Sequence, residues 1–344
     1  MESGEPHQRR PRYRGKNPRR FEEKYKEHDP NRYQETLAKV RARGKTPAGQ
    51  HVPILVDEIL ATLKPAPGER AVDATLGFGG HAELLLHRLQ PGGSLLGLDR
   101  DPLEIERTTK RLRALGFGEE ALRTQCINFA GIGKALHEVG WQDGVDLVLV
   151  DLGVSSMQID NPARGFSFKL EGPLDMRMNP QRGLSAREWL RRADAAKLER
   201  ALTDGSDEPL AGSLAQALAG QDLNSTTQLA QAIRAALPRY LDEENAMLTV
   251  RRVFQALRIA VNEEFSALDA FLAQLPSVLR PAGRVAILTF HSGEDRRIKR
   301  HFKQGLADQL YAEISHDVVR ASAAELHSNP RASSAKLRWA VRAG

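Results

Sequence analysis

The stretch from Ala71 to Asp101, AVDATLGFGGHAELLLHRLQPGGSLLGLDRD, constrains the fold more than any other part of the chain. A short apolar run, Ala71-Val72, ends at Asp73, and a turn with Gly77, Gly79, Gly80 and His81 follows. Ala82, Leu85, Leu86 and Leu89 then recur at helical spacing until Pro91-Gly92-Gly93, after which Leu95–Leu98 runs into Asp99. Strand, glycine turn, helix, strand and acid make one βαβ unit, with the turn and Asp99 on the same edge of a parallel sheet. The glycines allow close approach to the backbone, and the helix start offers free N–H groups. A carboxylate after the second strand can accept both hydroxyls of a ribose. The unit therefore suits an adenosine-containing cofactor without saying which. Gly77, Gly79 and Ala82 follow the G-x-G-x-x-G/A spacing, and a tight turn with no ligand is the alternative reading.

At 344 residues and 41% hydrophobic, the chain is long enough for one large or two medium globular domains. One cysteine, Cys126, excludes a disulfide framework and a cysteine-based zinc site, so no metal is implied. It reads as a small buried core residue of a cytoplasmic protein. No run of 18 apolar residues is present to cross a membrane, and the N-terminus is charged, without an apolar signal segment. Charge is unevenly spread. Residues 1–50 hold 14 Lys and Arg against 7 Asp and Glu, which leaves 36 against 37 for the rest.

Residues 1–31, including RRPRYRGKNPRR, have little to bury and read as disordered. Tyr13, Phe21, Tyr25 and Tyr33 are interleaved with cations, which suits phosphate contacts with stacking on unpaired bases, or a solvated tail. Residues 34–43 can form a short helix, and 44–49 read as a linker. Val56–Leu63 reads as a helix, as does Pro102–Leu115, then Thr124–Ile127 as a strand, Ile132–Val139 as a helix and Val145–Val150 as a buried parallel strand. The rhythm breaks at 157–180, an aperiodic segment with three prolines, and loops of that length are usually functional. Ala-rich helical patterns follow at 185–202, 208–219 and 226–237. Leu248–Leu275 reads as one long helix with Val253, Leu257, Val261, Leu268, Leu272 and Leu275 on a stripe. Val285–Phe290 is a fifth strand, Ile298–Phe302 lies on a helix, and 310–319 and 336–341 can close the sheet.

In an open parallel sheet, ligands sit beyond the carboxyl ends of the strands. Those ends carry Asp73 and the glycine turn, Asp99, Asn128 with Phe129, Asp151 with Ser155 and Ser156, and His291 with Ser292 and Asp295. Phe129 suits an adenine face or the core, and His81 suits a cofactor carboxylate or a helix cap. His291 suits a base, a polar contact or a structural histidine.

TLGFGGH, DRDP, DLGVSS with Gln158 and Asp160, RGFSF, GPLDMRM, VFQALRIAVNEE, FHS with Glu294 and Asp295, and NPRASSAKLR occur in this order over residues 51–342. Together they resemble the S-adenosylmethionine-dependent methyltransferases that act on cytosine N4 in the decoding region of bacterial 16S ribosomal RNA. The resemblance implies S-adenosylmethionine as cofactor. Gly79, Gly80 and His81 match the cofactor loop, to which the glycine spacing adds Gly77 as a cofactor contact; Asp99 matches the ribose acid. Phe129 matches the residue beside the adenine, and Asp151 and Gln158 the remaining contacts. It also implies an α/β, Rossmann-like class I methyltransferase sheet, mostly parallel with its last strand antiparallel, carrying an inserted small all-helical domain that helps hold RNA. The expected division is a basic, largely disordered extension over 1–48, methyltransferase parts at 49–175 and 248–344, and the helical insert at 176–247. The implied partner is 16S rRNA or the small ribosomal subunit, with no membrane, and monomer and homodimer both remain open. The chain departs from the family at Gly293, where a leucine is usual, in TDGSDEPLAGSLAQALAG, which lacks the insert's glycine–glutamate–glutamate–arginine core, and in its basic extension.

Cytosine N4 is a weak nucleophile because its lone pair is delocalised into the ring, so placing it in line with the methyl group is the main task. Many amino-methyltransferases end strand four with an acid or amide, two prolines and an aromatic; this chain has DLGVSS. The expected catalytic residues are Asp151 at the cofactor–substrate boundary and Ser155 or Ser156 near N4. Phe166 or Phe168 is expected to stack on the extruded base. Arg164, Arg177, Arg331 and Lys336 are expected to hold phosphates, the arginines alternatively pairing with Asp160, Asp175 and Glu171. Two other classes stay open on the residues: an NAD-dependent oxidoreductase and a non-catalytic RNA-binding ribosome assembly factor.

Overall fold

The periodic apolar runs pair into one seven-stranded sheet, seen in a computed structural model that describes residues 53–344. The readings made for the basic extension lie outside the described residues, as does the side chain of Ser156. The strands are β1 (Arg70–Asp73), β2 (Ser94–Asp99), β3 (Leu122–Cys126), β4 (Val145–Asp151), β5 (Leu279–Thr289), β6 (Tyr311–Ile314) and β7 (Lys336–Arg342), in the order β3-β2-β1-β4-β5-β7-β6. β1 to β5 run parallel, and β7 inserts antiparallel between β5 and β6. The connections leave β1 in one direction and β4 in the other, so the topological switch point, where ligands bind in such sheets, lies between them.

The sheet is covered on both faces, and the period of two sorts its side chains. Leu147 and Leu149 of β4 pack with Leu95, Ala286 and Leu337 under the helices Val56–Leu63, Gly80–Leu89 and Pro102–Ala114. Val148 and Val150 pack with Leu96, Ile287, Phe271 and Phe302 on the opposite face. A third cluster, with Trp189, Leu198, Leu214, Leu229, Val253 and Leu257, sits among the helices Ala186–Arg192, Ala195–Ser206, Ala211–Leu218, Thr226–Ala236 and Glu243–Asn262.

Three readings need correction. The stripe over 248–275 is not one helix but two, Glu243–Asn262 and Glu264–Val278, joined at Glu263 with φ of 51°. Val253 and Leu257 serve the helical cluster, whereas Leu268, Leu272 and Leu275 serve the sheet. One periodicity runs through both, so no apolar gap marks the break. The pattern over 185–202 likewise divides at Asp194, whose carboxylate caps the second helix by accepting from the Lys197 N–H at 2.7 Å. Cys126 is exposed, at the end of edge strand β3, not in the core.

Candidate active site

The carboxyl ends of β1 and β4 are tied together by Thr75. Its Oγ1 accepts from the Asp151 N–H at 2.6 Å, and its own N–H donates to Asp73 Oδ1 at 3.1 Å. Asp73 and Asp151 thus flank the switch point, with His81 beside them: its Nε2 is 3.9 Å from Asp151 Oδ2. His81 Nε2 and Asp151 Oδ1 are buried and have no hydrogen-bond partner among the described residues. Two such atoms, a ring nitrogen and a carboxylate oxygen, are what a polar ligand would satisfy, because leaving them bare costs desolvation energy.

The glycine turn is held from behind. Asp99 accepts the Gly77 N–H through Oδ2 at 2.7 Å and the Asp101 N–H through Oδ1 at 2.8 Å. Thr108 donates to the Gly77 carbonyl, and Arg111 donates to the Phe78 carbonyl at 2.8 Å while its guanidinium lies 4.7 Å from the Phe78 ring centre. A methyl on Gly79 (φ 77°) would fall 2.6 Å from Thr108 Cγ2, and one on Gly80 would fall 2.5 Å from Pro53 Cγ. These two glycines are therefore demanded by the protein's own packing. A methyl on Gly77 would instead meet nothing nearer than 3.8 Å, which leaves that side of the turn open for a cofactor.

Burial sets the protonation of the cluster. It pushes Asp73 up to about 7, against the Thr75 N–H and with the charge of Asp99 adding to it. Asp151 is also pushed up to about 7, by burial and then by the charges of Asp73 and Glu294. The Asp151 side chain is still 33% exposed; the shift follows from its one fully enclosed oxygen rather than from the exposed one. Burial lowers His81 to about 4, so its imidazole is neutral near pH 7. Burial also raises Asp99, with the Asp101, Gly77 and Arg100 N–H groups opposing it. A cationic ligand here would favour the ionised acids.

Phe129 follows β3 in a short turn, Phe129–Gly131; it is half-buried against the sheet core, its ring edge-on to Phe271 at 5.5 Å. Ser155 is the cap of the helix Ser156–Asp160. Its Oγ accepts from the Gln158 N–H, and Gln158 Oε1 accepts from the Ser155 N–H. The Gln158 amide also donates to Asp101 Oδ2 at 3.0 Å, so both of its polar groups are engaged within the protein.

Arg164 is a correction. It is only 12% exposed, and its guanidinium donates to Asp101 Oδ2 at 2.7 Å and to the carbonyls of Arg177 and Met178. It clamps a loop instead of presenting a free charge to phosphate. Arg177 pairs with Asp175 through two bonds, and Arg331 pairs with Asp160 at 3.1 Å, as the ion-pair alternative has it. Lys336 lies 3.4 Å from Asp295, which Arg338 also holds. Phe168 is edge-on to Phe254 at 5.4 Å, and the Arg164 guanidinium lies 5.8 Å from the Phe166 ring centre. His291 precedes the helix Ser292–Ala307; its Nε2 is 3.1 Å from Glu294 Oε1 but not aligned as a hydrogen bond. Against the cost of burial, His291 and Arg258 hold the Glu294 carboxyl below its usual range. Asn128 and Ser292, also at strand ends, are used locally, Asn128 capping Ala130 and Ser292 bonding Asp207.

Four residues escape the sequence reading. Thr75 joins β1 to β4. Asp101, fully buried, caps the helix Pro102–Ala114 and joins Asp99, Gln158 and Arg164 in one network. Its cap was legible as Asp before Pro; its network was not. Asn262 binds the Met178 N–H at 2.8 Å and the Met176 carbonyl at 2.7 Å, which joins the motifs FQALRIAVN and DMRM. Glu294 is the buried partner of His291 and also accepts the Phe290 N–H at 3.0 Å.

Strand order, glycine turn and strand-end acids give a Rossmann-like sheet with an adenosine-cofactor edge, and the family match that follows makes it a class I, S-adenosylmethionine-dependent methyltransferase. The family described as "MraW methylase family" matches residues 48–343, and the chain belongs to it. This answers the oxidoreductase alternative. A "Ribosomal RNA small subunit methyltransferase H 1" of Lachnoclostridium phytofermentans is 48% identical over 99% of this chain and 95% of its own length. A protein of the same description from Agathobacter rectalis is 47% identical over the full length of both. Among solved structures, a SAM-dependent O-methyltransferase from Thermotoga maritima has a TM-score of 0.40 and 9% identity, covering 90% of this chain and 71% of its own.

Proposed function

We propose that the chain methylates the exocyclic N4 of a cytidine in the decoding region of 16S ribosomal RNA. The observation that carries the chemistry is the pair of unsatisfied buried atoms, Asp151 Oδ1 and His81 Nε2, at the switch point. The names of the relatives support the ribosomal substrate. When bound, S-adenosylmethionine supplies a methyl group made electrophilic by its sulfonium. Asp99 is suited to the ribose hydroxyls, Gly77 to close approach and Phe129 to the adenine. Neutral His81 can donate to a carboxylate or accept from an ammonium group. Asp151, held near neutrality, accepts an N4–H and takes the proton that N4 sheds as its new bond to carbon forms.

The rest of the assignment follows from the same reading. Phe166 or Phe168 stacks on the base, and Ser156 or Ser155 completes the contacts to it. His291 lies on the RNA side, and Gln158 supports the cofactor loop through Asp101. Arg177, Arg331 and Lys336 reach phosphates by exchanging their present carboxylate partners. Residues 176–247 form the substrate-holding insert and 1–48 a basic RNA-binding extension, in a cytoplasmic enzyme. Among the described residues, no helix is long and apolar enough to cross a membrane. Asp151→Asn tests the proposal. Transfer of labelled methyl to 16S RNA or small subunits should fall by at least about a hundredfold, within the range of general-base losses. Near-normal turnover removes Asp151 from the mechanism.

A further inference from the structure

The cations expected to hold phosphates near the rim are paired with carboxylates, whereas a group on the helix that follows His291 is not. On the helix Ser292–Ala307, Arg296 is held by Asp207 and Arg297 by Asp269. Lys299, Arg300 and Lys303 are exposed, and no ion pair to them is found among the described residues. With Arg296 they fall at i, i+3, i+4 and i+7, which places all four on one face. That face, with Gln304, forms an open, shallow basic surface. A cavity of about 140 Å³ shares Lys299 and Lys303 and runs on to His316 and Arg338. Neither the surface nor the cavity has a carboxylate among its described lining residues. Residues 51–344 carry 36 basic and 37 acidic side chains, so this is local concentration of charge and not a general excess.

We propose that the groove along Lys299, Arg300 and Lys303 binds the phosphodiester backbone of the RNA substrate away from the reacting base. The inference rests on the reading of the substrate as RNA. The helix starts at the catalytic rim, after His291, and the three cations lie roughly 12–18 Å along it at 1.5 Å per residue. That distance suits a strand leaving the site, not the target nucleotide itself. A polyanion favours the groove because free lysine and arginine release its counterions without first breaking an internal pair.

The test uses the full-length chain with Lys299→Ala, Arg300→Ala and Lys303→Ala combined. Affinity for naked 16S RNA should fall at least tenfold, and the slope of log K against log salt should flatten by about 2, the value for three single-strand contacts. KM for RNA should rise while kcat and S-adenosylmethionine affinity stay unchanged. Lys299→Arg with Lys303→Arg should restore binding. RNA affinity and salt slope equal to the parent's would overturn the proposal. So would a loss confined to assembled particles, which would mark an acidic protein surface as the partner. If the parent chain itself transfers no methyl to RNA while still binding it with this salt dependence, the catalytic reading fails and the groove stands.

Discussion

A single carboxylate, Asp99, shows how one residue serves scaffold and ligand together. Each of its oxygens already accepts a backbone N–H, from Gly77 and from Asp101, so the charge fixes the turn before a cofactor arrives. Asp99→Asn keeps the shape, removes the charge and turns one acceptor into a donor. At about 1.5–3 kcal/mol for hydrogen bonds to a charged group, affinity for S-adenosylmethionine should drop roughly 10- to 100-fold by calorimetry. Equal affinity would show that the ribose is held elsewhere. Asp151 sets the pH response. Its carboxyl is raised to about 7 and must be ionised to accept from N4. The value of kcat/KM should therefore climb with pH up to about 7 and level off above it. The climb should vanish in the residual activity of Asp151→Asn. His81, lowered to about 4, stays neutral across this window and adds no second break above pH 5. A flat profile in the parent enzyme, with chemistry limiting, would count against Asp151 as the proton acceptor.

Among the elements, the two helices that meet at Glu263 carry the molecule's least legible information. The stripe from Val253 to Leu275 was plain in the sequence, but its division between two cores was not, because the heptad-like spacing survives the break. At this junction Asn262 holds both Met176 and Met178, and Met176 adopts φ of 59°, a left-handed conformation that a methionine rarely takes unaided. Asn262→Ala would strip partners from buried backbone groups, at about 1–3 kcal/mol each. Denaturant unfolding should show a loss of at least about 2 kcal/mol, and the loop over 157–180 should become more susceptible to protease. Unchanged stability and protection would show that Arg164 alone holds the loop. The departure at Gly293 has a similar local cause. A methyl there would sit 2.6 Å from Phe265 Cζ, and Phe265 also lies under the Arg297 guanidinium at 4.2 Å. Phe265 occupies the space that a leucine at 293 would need. In the second departing segment, a methyl on Gly205 would fall 3.0 Å from the Ala256 Cα, and Glu208 is buried with its carboxylate 3.9 Å from Arg252. That segment keeps a buried acid facing a basic residue.

At the scale of the whole molecule, the strands were readable because each is a short apolar run that stops at a polar residue, whereas the antiparallel last strand came from the family resemblance and the strand order from the structure. Asp73, Asp99 and Asp151 were identified for the same reason: strand ends converge on one edge wherever the helices run. Side-chain partners were not readable in this way. Arg164 binds Asp101 across 63 residues, and Arg331 binds Asp160 across 171. Sequence spacing carries no information on such pairs. The alternatives weighed for the arginines contained the partners of Arg177 and Arg331 but not that of Arg164. The same limit hid the groove on the helix Ser292–Ala307, whose basic residues differ only in that neighbouring acids pair with some and not others.

The central claim, methyl transfer to cytosine N4, is tested most directly by incubating the protein with labelled S-adenosylmethionine and either small ribosomal subunits or naked 16S RNA, then mapping the label by nuclease digestion and mass spectrometry. The account predicts one labelled cytidine whose added methyl is on the exocyclic nitrogen, in the decoding region, with label from Asp151→Asn lower by at least about a hundredfold. Label on a ring carbon, on a ribose or on another base, or none at all from a chain that binds the cofactor, would contradict it.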